Sequence, residues 1–91
     1  MAEITFTKIG NEYVAEMQVS GDFNLHVERA DISKFRVLQR TSSEGKFAIV
    51  KNLGIVGDPV VDMDFSGVVY PKTIRIESGL QPSVAIITLA K

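Results

Sequence analysis

One histidine, three aspartates and a pair of serines are the residues through which this 91-residue chain can do chemistry. Asp62 and Asp64 are two apart, so they project from the same face of a strand, and Asp58 lies just before them. Three carboxylates this close can hold a hard cation such as calcium, which takes several oxygen ligands. The competing reading is a solvated face, or carboxylates that meet lysines on a neighbouring strand. His26 as a general base needs a partner and a pocket, and the neighbouring sequence offers neither. As a metal ligand it stands alone, whereas zinc sites need several side chains. Ser42 and Ser43 fall at a hairpin tip with no local histidine, a poor setting for a nucleophile. Gly54-Ile55-Val56-Gly57-Asp58-Pro59 carries two glycines but lacks the lysine-serine/threonine ending of a phosphate loop. It reads as a turn that needs positive φ. There is no cysteine, which excludes disulfide scaffolds, thiolate zinc sites and cysteine nucleophiles. No catalytic residue and no cofactor are expected, and the chain does not read as an enzyme.

The elements that must position these groups are strands. Phe23, Leu25 and Val27 alternate with Asn24, His26 and Glu28. Tyr13, Ala15, Met17 and Val19 alternate with Glu16 and Gln18, and Val61, Met63 and Phe65 with Asp62 and Asp64. Phe35 and Val37 alternate with Lys34 and Arg36, and Ile74 and Ile76 with Arg75 and Glu77. A period of two marks strands with one buried and one wet face. Turn residues fall between the runs, at Gly10-Asn11, Ser20-Gly21-Asp22, Thr41-Ser42-Ser43-Glu44-Gly45, Ser66-Gly67 and Ser78-Gly79. The pattern predicts about eight short strands, over 3–9, 12–19, 23–29, 35–41, 46–51, 59–66, 72–77 and 83–90. The expected fold is all-β, a small antiparallel sandwich or barrel occupying residues 1–91 as one domain. Ile4, Phe6, Phe47, Ile49, Val84 and Ile86 join the apolar residues above, Ala15 and Val19 excepted, as expected core, packed between two sheet faces. The last strand, Val84-Ala85-Ile86-Ile87-Thr88-Leu89-Ala90, is apolar on both faces. Such a strand is central or packs on a second surface. Ile87 and Leu89 are its candidates for a subunit contact.

Composition bounds the partners. Hydrophobic residues make up 45% and charged residues 23%, with a net charge of -1, an ordinary globular balance. No apolar run approaches the roughly 18 residues that suggest a membrane span. Met1-Ala2-Glu3-Ile4-Thr5-Phe6 lacks the basic and apolar regions of a signal peptide. The charges come in blocks. Residues 1–28 hold Lys8 against five acids, residues 29–51 are basic through Arg29, Lys34, Arg36, Arg40, Lys46 and Lys51, and residues 52–70 hold only aspartates. Blocks of this kind pair between strands of one fold or attract neighbouring copies head to tail. Nucleic acid is not an expected partner. Phe35 and Phe47 fall on the apolar phase rather than among exposed cations, and the balance is slightly acidic.

Arg40-Thr41-Ser42-Ser43-Glu44-Gly45-Lys46-Phe47 forms a Ser/Thr-rich turn with an acid and a glycine, followed by an aromatic that opens a return strand. With its flanks, from Val37 to Val50, it resembles a hairpin of jelly-roll and related sandwich modules, and Val69-Tyr70-Pro71-Lys72-Thr73-Ile74-Arg75-Ile76 resembles a later strand of them. The resemblance spans roughly residues 35–90. Modules of this kind occur in carbohydrate-binding proteins and in accessory or fibre proteins of bacteriophage virions. The resemblance implies a non-enzymatic structural subunit, located in a virion, that acts through contacts with copies of itself or with a larger assembly. Its other branch implies a ligand-binding module for glycan or calcium. The chain departs from the sugar-binding kind in having no tryptophan, with only Tyr13 and Tyr70 available to stack on a ring.

Overall fold

The computed structural model describes residues 2–28, 34–42, 44–53 and 60–89. Nine strands follow one another: β1 (Ala2–Glu3), β2 (Thr7–Ile9), β3 (Glu12–Val19), β4 (Phe23–Glu28), β5 (Phe35–Arg40), β6 (Ala48–Leu53), β7 (Val60–Phe65), β8 (Lys72–Ser78) and β9 (Val84–Leu89). They form a four-stranded sheet in the order β1-β9-β4-β7 and a five-stranded sheet in the order β2-β3-β8-β5-β6. Every pairing is antiparallel. No α-helix occurs among the described residues. The protein is a small antiparallel β-sandwich, with a radius of gyration of 12.4 Å, as expected for one domain of this length.

The strand expected over residues 3–9 is two strands. Ala2 and Glu3 pair with β9 in one sheet, while Thr7–Ile9 pairs with β3 in the other. Between them the chain crosses the sandwich side, where Ile4 N–H donates to the Ala85 carbonyl at 2.9 Å and Phe6 is buried. Alternation alone cannot reveal such a crossing, because the apolar phase continues through it. Gly10 follows β2 with φ of 63°. That left-handed conformation favours glycine and permits the tight turn into β3.

The inner faces carry the core as the alternation requires. Phe23, Leu25, Val27, Val61 and Ala85 of one sheet meet Ala15, Val19, Phe35, Val37, Ile74 and Ile76 of the other. Phe23 and Phe65 are paired across β4 and β7, with rings stacked 4.9 Å apart. β9 is central, between β1 and β4, as its two apolar faces predict. Its phase is the reverse of the one expected. Leu25 pairs with Ile87 and Val27 with Ala85, so Ala85 and Ile87 look inward. Val84 and Ile86 lie on the outer face, beside Glu28 and His26. A strand that is apolar on both sides carries no phase of its own, so register to its neighbour decides.

Two further expected core residues lie outside it. Ile49 is 58% exposed on the edge strand β6. Phe47 precedes β6 rather than opening it. Its ring lies against the Arg40 guanidinium at 4.6 Å and near that of Arg75 at 5.9 Å. The hairpin loop is therefore residues 41–47, longer than the expected 42–45, with Gly45 N–H closing on the Ser42 carbonyl at 3.0 Å.

Candidate functional site

Three polar constellations stand on this frame. The first is on the outer face of the four-stranded sheet. Pairing of β4 with β7 sets His26 opposite Asp62 and Asn24 opposite Asp64. Asn24 Nδ2 donates to Asp62 Oδ1 at 2.7 Å and to Asp64 Oδ1 at 2.9 Å. His26 lies between Asp62, 2.9 Å from Nδ1, and Glu28, 2.7 Å from Nε2. His26, expected to have no partner in the neighbouring sequence, has two: Glu28, two residues on and on the same face of its own strand, and Asp62, from a strand 36 residues away. Asp62 and Asp64 do share a face, as their spacing requires, but both oxygens of Asp62 are engaged, by the Asn24 amide and the His26 imidazole, and one oxygen of Asp64 is held by the same amide. Among the described residues no three His, Cys, Asp or Glu side chains are placed to hold a metal ion. Asp58 and the loop of residues 54–59 lie outside the described residues.

Hydrogen bonds to Glu28 and then Asp62 raise the His26 pKa above its ordinary 6.5. Hydrogen bonds from Asn24 and then His26 lower that of Asp62 below its ordinary 3.8. A raised folded-state pKa stabilises the fold while the group is protonated. The contribution of His26 is therefore complete below the unfolded value and is lost as pH rises through the raised folded value. Asp62 acts in the opposite sense. Its contribution is present above its unfolded value and is lost as pH falls through the depressed one. NMR titration of the His26 ring is expected to give a midpoint above 6.5. The melting temperature of His26→Gln, measured against the parent, is expected to fall short most in acid and to converge with it as pH rises. A midpoint at or below 6.5 would remove the two carboxylate contacts as the cause.

The second constellation lies on the outer face of the five-stranded sheet. Glu12, Arg36, Glu77, Arg75 and Glu16 form a chain of alternating charge drawn from β3, β5 and β8. Arg36 meets Glu12 at 3.0 Å and Glu77 at 2.6 Å. Arg75 meets Glu77 at 2.8 Å and Glu16 at 2.6 Å. The hydrogen bond to Glu77, then that to Glu16, raises the Arg75 pKa. Acids of the N-terminal block thus neutralise arginines of later blocks within the fold. The polar phase of these strands marks the five residues, but only three-strand register joins them into a chain.

The third is at one end of the sandwich. Tyr70 donates its hydroxyl to Asp22 Oδ1 at 2.6 Å, which raises the tyrosine pKa. The Lys72 ammonium sits 4.7 Å from the centre of the Tyr70 ring and donates to Gln39 Oε1 at 3.3 Å. Lys72 is only 7% exposed. A Cβ on Gly67 would lie 2.7 Å from its Nζ, so the ammonium occupies the space a side chain there would take. One face of Tyr70, a residue expected to be free to stack on sugar, is therefore taken by a cation. Tyr13, the other, packs against the core.

The expected contact residues Ile87 and Leu89 do not lie on the outer face of β9. Ile87 packs on the core, and Leu89 is half exposed on the same inward phase. Both line a groove of about 360 Å³ at the sandwich side, with Ile4, Met17 and Val19. The fold and these surfaces define a β-sandwich whose described polar groups are mostly paired with each other. No protein family matches the chain, and neither does any curated protein or solved structure. Among the described residues no helix is long and apolar enough to cross a membrane.

Proposed function

We propose that the protein is a non-enzymatic structural subunit that self-associates through protein–protein contacts, as an accessory or fibre component of a virion does. One observation carries this reading. β6 is the edge of the five-stranded sheet, and Ala48, Ile49, Val50, Lys51 and Asn52 are all exposed. Proteins blunt a long edge strand with charge, proline or a covering segment, because its free N–H and C=O groups otherwise recruit another strand. Here Lys51 is the only charge in the strand, and two β-branched apolar residues precede it. Addition of a strand to such an edge combines main-chain hydrogen bonds with side-chain contacts. The polar groups on the sandwich surface support the same reading, because His26, Asp62, Asp64 and Tyr70 are engaged in structural contacts.

Light scattering after size exclusion tests the reading. Association beyond the monomer at tens of micromolar protein is the expected result. A monomer at every concentration would remove it.

A further inference from the structure

We propose, building on the self-association reading, that copies join head to tail. β6 of one copy adds to the free edge of β3 in the next and lays its apolar residues into the groove beside that edge. Three features support the geometry. First, β2 covers only part of β3. Its register ends at Thr7 against Val14, so β3 has no strand on that side from Ala15 to Val19. Second, the groove lies along this uncovered stretch. It is lined by Ile4 and Thr5 of the crossing segment, by Met17 and Val19, and by Ile87 and Leu89. Ile4, Met17, Ile87 and Leu89 are apolar side chains that the sandwich leaves partly open. Third, β6 is the other end of the same sheet. A bulge between Val37 and Leu38 leaves Val50 without a partner on β5, and Val50 is 40% exposed. Bulges re-aim side chains at sheet edges in this way.

Charge selects the occupant. Glu3 lines the groove and makes no ion pair among the described residues, and Glu16 beside it is shared with Arg75. Lys46 and Lys51 flank the apolar part of β6, are exposed, and also make no ion pair among the described residues. An apolar strand flanked by cations fits an apolar slot flanked by carboxylates. Pairing of β6 with another β6 would instead bring no carboxylate of the paired strand to Lys51, since β6 carries no acid. The two surfaces differ and lie on opposite sides of one sheet. The contact is therefore heterologous, and repetition gives a ring or an open filament rather than a closed two-fold dimer.

Two variants test this by light scattering and sedimentation. Ile49→Glu blocks the strand, and Leu89→Lys blocks the groove. Each alone is expected to weaken association about tenfold or more, since a buried charge in the contact costs at least about 1.4 kcal/mol. An equimolar mixture of the two is expected to form a dimer that grows no further, because one intact strand still meets one intact groove. Ile49→Thr, which keeps the β-branch, is expected to weaken assembly while leaving the melting temperature of the dilute, unassociated protein unchanged, separating the contact from folding. If the parent protein is oligomeric and neither blocking variant changes its mass, the head-to-tail contact is wrong while self-association stands. The head-to-tail contact is equally wrong if both variants are monomeric and their mixture is too. A monomeric parent overturns both.

Discussion

Phe35→Ala is expected to cost about 3–5 kcal/mol, enough to remove most of the stability of a domain this small. Phe35 is fully buried, on the inner face of β5. It belongs to the cluster formed with Leu25, Val27, Val37, Ile74 and Ile76. Truncation forfeits the transfer of the ring from water and leaves a cavity that two hydrogen-bonded sheets can close only in part. For a domain of 60–100 residues, each kcal/mol shifts the melting temperature by about 4–8 °C. The expected drop is therefore about 12–40 °C. Ile49→Ala on β6, measured at protein concentrations below those of association, is the control, with an expected change within about 0.5 kcal/mol, because Ile49 is 58% exposed in a single copy and exposed substitutions have small effects. Thermal or urea unfolding of both variants measures the difference. Equal losses at the two positions would mean that β6 is covered in the folded protein, or that Phe35 is not in the core.

Glu77→Gln is expected to be the most damaging change outside the apolar core, at about 1–3 kcal/mol. The Glu77 side chain is 11% exposed and bridges two guanidinium groups, Arg36 at 2.6 Å and Arg75 at 2.8 Å. An amide in its place accepts from one arginine and presents its own N–H to the other. Two like charges then face each other without the anion between them. The neighbours are already sparingly satisfied, since Arg36 Nε is buried with no partner. Glu12 and Glu16 still hold one arginine each, which keeps the loss below that of a fully buried pair. Glu16→Gln breaks only the more exposed outer link and is expected to cost under about 1 kcal/mol. Unfolding midpoints that place the two variants together, or Glu16→Gln first, would show that the chain of charges is surface decoration.

Both expectations combine what alternation specifies with what strand pairing adds. Alternation at Phe23-Leu25-Val27, Phe35-Val37 and Ile74-Ile76 determined the strands and their buried faces, because a side chain on a pleated strand has only two directions. The absence of cysteine and the two-residue period were enough to set the fold class. Sequence also placed Asp62 and Asp64 on one face and β9 inside a sheet. It determined neither which strands are neighbours nor the register between them. His26 meets Asp62 only because β4 lies beside β7, and Glu77 joins Arg75 of its own strand to Arg36 only because β8 lies beside β5. The phase of β9, the division of the first strand between two sheets and the groove beside β3 likewise came from tertiary structure. The physical reason is common to all of them. A period of two specifies a face, whereas a partner is chosen by the packing of two whole sheets, and that free energy is distributed over residues far apart in the chain.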